Sequence, residues 1–104
     1  MTSGRGLYYN MAGEQIDIDE ADKLFVNPQA RCVALDALPN GYNVSTVLLV
    51  IDHSLGFGGK PMIFETMVFG KDADDADRYS TKEQALEGHR RMVEKWRSRP
   101  RATP

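Results

Sequence analysis

The sequence holds one cysteine, Cys32, in 104 residues. An intrachain disulfide is therefore excluded, and this usage fits a reducing compartment. Cys32 sits in an apolar run, which predicts a small buried hydrophobe, and nothing beside it would depress its pKa for nucleophilic work. Long apolar runs are also lacking. The longest, Val47 to Ile51, is far too short to span a bilayer, and the opening MTSGRGLYYN has no apolar stretch of the kind a secretory signal needs. The expectation is a cytoplasmic protein with no membrane partner. A surplus of one charge is missing too. The formal net charge of -2 gives no electrostatic case for a nucleic-acid partner. Arg90, Arg91, Lys95, Arg97, Arg99 and Arg101 crowd the C-terminus, and a solvated helix face with a basic tail accounts for them.

What remains is the composition of one ordinary globular domain with one modest core. Residues 1–6 are small and polar and are expected to be disordered. Residues 7–97 read as a single α+β domain, and 98–104 as a disordered basic tail. The centre of the domain runs from Val44 to Gly70. Two apolar, β-prone runs flank a glycine-rich connection there, with Asp52, His53, Glu65 and Thr66 set into them. Such residues are costly to bury, so they either serve a task or are locally satisfied.

Turn signals divide the chain. Leu7-Tyr8-Tyr9 and Ile16 can form a short hairpin around Asn10–Gly13. Asp17 or Asp19 can cap a short helix near 18–25, which Asn27-Pro28 ends. Strands are expected at 31–38, 42–52 and 61–70, joined first by Pro39-Asn40-Gly41. They form an antiparallel meander of three or four strands. Ser80-Thr81-Lys82-Glu83 reads as a capping box that starts a helix over 81–97. Its stripe of Ala85, Leu86, His89, Met92, Val93 and Trp96 should face the sheet. Glu87 with Arg91, and Arg90 with Glu94, pair four apart on its other faces. Gly88 costs a helix about 1 kcal/mol relative to alanine, so close approach of helix and sheet is expected at that turn.

Several polar residues are candidate contacts. His89 lies within the apolar stripe, either as a functional imidazole or as a buried neutral one. By alternation His53 continues the Val47, Leu49, Ile51 face. If the helix packs over that face, His53, His89 and Glu65 can approach one another as a weak metal-ligand set. Otherwise Asp52 and His53 organise the loop by bonds to its backbone. If Met67 and Phe69 point inward so does Glu65, with Arg31, Arg78 or His89 as its partner; a solvent-facing Glu65 is the alternative. The run Gly56-Phe57-Gly58-Gly59-Lys60 lacks the strand-to-helix setting of a phosphate loop, because Pro61 and a strand follow. It displays Phe57 as an aromatic anchor for a partner. Asp72, Asp74, Asp75 and Asp77 miss the calcium-loop pattern at Ala76 and Asp77.

The stretch VSTVLLVIDHSLGFGGKPMIFETMVFG, followed by RYSTKEQALEGH, resembles a family of small uncharacterised proteins of actinobacterial phages and prophages. The opening YYNMAGEQIDIDEADKLF resembles that family's N-terminal part. The likeness covers roughly residues 8–93 and departs where Val50-Ile51 replaces a glycine–hydrophobic pair. It implies a phage setting and adds weight to Asp52, His53, Glu65, Arg78, Tyr79 and His89. The reading is a small accessory or host-directed protein that binds a protein partner without catalysis, with a homodimer possible and no cofactor. The alternative is a ligand-sequestering protein or a metal-dependent enzyme built on the His/Asp/Glu cluster.

Overall fold

The computed structural model describes residues 8–53 and 60–101. A two-stranded hairpin comes first, β1 (Tyr8–Tyr9) with β2 (Gln15–Ile16). The Asn10 side chain closes its turn by accepting from the Ala12 and Glu14 amides. Helix α1 (Ile18–Phe25) follows, capped by Asp17, whose carboxylate accepts from the Glu20 amide. Asn27-Pro28 does end α1, but it also starts a second short helix, α2 (Pro28–Arg31). Asn27 accepts from the Ala30 amide there, and Pro28 stands at a first-turn position, where its missing N–H costs nothing.

Four strands then form one antiparallel meander: β3 (Cys32–Ala37), β4 (Asn43–Leu48), β5 (Phe64–Phe69) and β6 (Ala76–Tyr79). Helix α3 (Lys82–Arg97) lies across one face. Gly41 takes φ 97° in the β3–β4 turn, a backbone that favours glycine. In that turn Asn40 does a second task. Its amide donates to the carbonyls of Trp96 (2.8 Å) and Arg99 (3.0 Å), tying the turn to the C-terminal end of α3 and the residues just beyond it. Trp96 lies 4.8 Å edge-on from Tyr42, and the Arg99 guanidinium sits 4.3 Å over its ring, so contacts extend into the basic tail.

Three expected boundaries shift. The middle strand stops at Leu48 rather than 52, because the chain bends at Val50, whose φ is 74°. The bend turns the Val50 carbonyl to the Tyr9 amide (2.7 Å) and joins the hairpin to the sheet. The third strand is confined to Phe64–Phe69. The cap of α3 is Thr81 with Gln84, one residue beyond Ser80 with Glu83; Gln84 Oε1 accepts from the Thr81 and Ser80 amides.

The sheet face under α3 carries Val44, Thr46 and Leu48 of β4 and Phe64, Thr66 and Val68 of β5, all buried. Helix α3 covers this alternation and not the Val47, Leu49, Ile51 one on which the conditional approach of His53 to His89 depended. Both phases of β4 are apolar, so alternation alone did not decide between them. Leu86 is 45% exposed and leaves the helix stripe, whereas Gly88 joins it. Cys32 is exposed at the start of an edge strand rather than buried. The core divides in two. Leu48, Val50, Ile63, Phe64 and Ala85 pack with Tyr9 and Ala21 at one end. Leu38, Val44, Val68, Met92, Val93 and Trp96 pack at the other. No helix among the described residues is long and apolar enough to cross a membrane.

Candidate functional site

Between the two apolar clusters lies a band of polar side chains. Alternation along β4 and β5 places Thr46 opposite Thr66, and the two hydroxyls hydrogen-bond to each other. His89 comes down from α3 and sets Nδ1 2.7 Å from Thr46 Oγ1. Its Nε2 lies 2.7 Å from Asp36 Oδ2 on β3. Tyr79 on β6 stands at the Thr66 end of the band. One continuous chain thus runs Thr66–Thr46–His89–Asp36 and joins β5, β4, α3 and β3.

The chemistry of the groups sets the direction of the chain. An ionised Asp36 can only accept, so His89 Nε2–H donates to it. A neutral ring then accepts at Nδ1 from Thr46, which accepts from Thr66. Beside the Thr66 end stands the Tyr79 phenol. Burial is the largest effect on that phenol and raises its pKa, with nearby Asp77 acting in the same direction. Gly88 makes room for it: a Cβ there would overlap the Tyr79 ring and hydroxyl.

Carboxylate, imidazole and hydroxyl stand in the order of a nucleophile triad, but access rules out that use. Thr46 and Thr66 are fully buried, so a substrate carbonyl cannot reach either hydroxyl. Asp36 is the open end, with its side chain 55% exposed. The band satisfies polar groups inside a core, as buried polar groups require.

The other predicted residues are placed separately. Asp52 Oδ1 accepts from the Met62 amide (2.8 Å), and the His53 amide donates to the Met62 carbonyl (2.8 Å). His53 Nδ1 donates to the Ile51 carbonyl at 2.8 Å. These bonds close the base of the 54–61 connection, in line with the loop-organising reading. Phe57 lies outside the described residues. Glu65 sits on the sheet face away from α3 and pairs with Arg78 at 3.1 Å. The conditional set of His53, His89 and Glu65 is not assembled, because helix and Glu65 occupy opposite faces. Among the described residues no three His, Cys, Asp or Glu side chains are grouped to hold a metal. Arg78 and Tyr79 line an open cleft of about 370 Å³ with Met62, Gln84 and Arg91.

Thr66 stood out in the sequence as a polar residue set into an apolar run, whereas Thr46 and Asp36 were not singled out as site residues. Thr46 carried the same signal, a polar residue in the buried phase of a central strand. Asp36 carried none.

The face opposite α3 has a different chemistry. Its central row, read from the strand register, is Leu35, Ser45, Met67 and Ala76. Ala37, Asn43 and Phe69 form the row on one side; Cys32, Val47, Glu65 and Arg78 form the row on the other. Leu35 is 65% exposed, Phe69 50% and Met67 39%. A solvated sheet face ordinarily alternates to polar residues, and these positions do not.

No family model, curated protein or solved structure matches the chain.

Proposed function

We propose that this chain is a non-enzymatic binding domain that engages a protein partner through the open face of its sheet. The observation that carries this reading is the exposure of Leu35, Met67 and Phe69 on one face of the sheet. Leaving such side chains in water forgoes roughly 25 cal/mol for each Å² that a partner would cover, and exposed apolar side chains gathered on one face mark contact sites. The blocks that resemble small phage proteins supply the setting: an accessory or host-directed protein whose partner is a phage or host polypeptide in the cytoplasm. The rival reading, ligand sequestration or metal chemistry on a His/Asp/Glu cluster, has less support, because the buried band is closed to substrate and His53 is engaged elsewhere.

Capture from an actinobacterial host lysate tests the reading. Immobilised wild-type chain should retain a specific polypeptide, and Phe69→Asp should lose it while melting at the same temperature. Capture that survives Phe69→Asp moves the site to another surface, and failure of the wild type to retain anything removes the reading.

A further inference from the structure

The open face has a relief that fits its own copy. Along the central row large and small side chains alternate: Leu35, Ser45, Met67, Ala76. A two-fold axis parallel to the strands, between β4 and β5, reverses that order in a second molecule. Leu35 then stands over the partner copy's Ala76, and Met67 over its Ser45, with the same contacts repeated by symmetry. In this row each large side chain meets a small one. In the flanking row the same operation sets the Phe69 ring over Asn43. The charged side chains of the face are Glu65 and Arg78, and they already neutralise each other at 3.1 Å, so like charges do not oppose the approach.

From these features we propose that a second copy of this chain packs on the open face, sheet on sheet, to form a two-fold dimer. The proposal rests on the reading of that face as a binding surface and names its occupant. Two twisted sheets packed in this way lie about 10 Å apart, with their strands within about 30°. Three strands of six residues and one of four give a footprint of roughly 360 Å² on each copy, from strand spacings of about 4.8 Å and rises of about 3.4 Å. Counted over both copies this is roughly 700 Å² before side-chain relief is added, against about 1,600 Å² for a standard interface. The dimer is therefore weak, exchanges with monomer and depends on concentration.

Sedimentation velocity across a micromolar concentration series tests it on the full chain. The wild type should pass reversibly from monomer to dimer. Met67→Glu should weaken the dimer roughly tenfold or more, by burying a carboxylate without a partner. Ala76→Leu fills a hollow and should weaken it despite adding apolar surface. The double variant Leu35→Ala/Ala76→Leu moves the projection across the row and should restore association. Thermal melts verify that each variant folds, and reaction of the exposed Cys32 thiol with a maleimide should slow as the wild type is concentrated. A wild type that stays monomeric overturns the proposal, as does association unmoved by Met67→Glu or a double variant no better than Ala76→Leu. A monomeric wild type whose lysate partner is still lost in Phe69→Asp would overturn self-pairing and leave the binding reading standing.

Discussion

Gly88 of α3 rests on the ring of Tyr79, and a methyl group at that position would overlap the phenol oxygen, Cζ and Cε1. Two effects oppose each other in Gly88→Ala. Helix propensity favours alanine by about 1 kcal/mol, whereas forcing atoms into a filled layer costs about 1–3 kcal/mol. The overlap includes ring atoms of a side chain held under the helix, so the second effect prevails. We expect a lower melting temperature by several degrees, about 4–8 °C per kcal/mol for a domain of this size. A melt that is unchanged or higher removes the close-approach account.

The buried band should respond unequally along its length. Thr46→Val keeps the shape but leaves His89 Nδ1 and Thr66 short of a partner inside the core, at a cost of about 1–3 kcal/mol. Asp36→Ala removes a group whose side chain is 55% exposed, where water can replace it, and should cost under about 1 kcal/mol. Urea unfolding of the two variants compares them directly. Equal costs, or a larger one at Asp36, would show that the band is not anchored at Thr46.

Acid should expose the role of Asp75. The Lys95 ammonium (2.6 Å) and the Trp96 indole N–H (2.8 Å) hold its carboxyl below the usual value of 3.8, against desolvation. A carboxyl depressed on folding stabilises the native state above its unfolded pKa, and that benefit fades as pH falls through the folded value. Asp75→Asn should therefore be less stable than wild type at neutral pH, with the gap narrowing in acid. Denaturant titrations at several pH values measure the gap, and a constant difference counts against the pairing. Because Lys95 is half exposed, salt should shrink the neutral-pH difference.

Alkali should single out Tyr79. Burial first, and Asp77 second, push its phenol above the usual 10.0. A group whose folded pKa is raised leaves stability intact below the unfolded value and erodes it as pH climbs toward the folded one. Spectrophotometric titration of the four tyrosines should show a late phenol that disappears in Tyr79→Phe. Retention of the late step in that variant would assign it elsewhere.

Much of the architecture was legible because its signals are local. The Asp17 cap, the Pro39-Asn40-Gly41 turn, the glycine contact at 88 and the inward Trp96 each follow from chemistry within a few residues. The face covered by α3 was not legible, because β4 is apolar on both sides and β5 offers Glu65, Met67 and Phe69 against Phe64, Thr66 and Val68. That choice depends on His89 meeting Thr46 across 43 positions, which no window of sequence contains. The same long-range choice placed His53 and Glu65 apart from His89. Strand β6 lay in an acidic segment with little β propensity, and its pairing with β5 comes from the meander rather than from its own residues.

Val50 gives the molecule an order of opening. A β-branched residue at φ 74° stores about 1–3 kcal/mol of backbone strain. It is held there by the Tyr9 amide and by a fully buried side chain. When the N-terminal hairpin lets go, that strain is released and repays part of the lost packing. Amide hydrogens of the hairpin and α1 should therefore exchange with solvent ahead of those in the four-stranded sheet, as one cooperative unit hinged on a single valine.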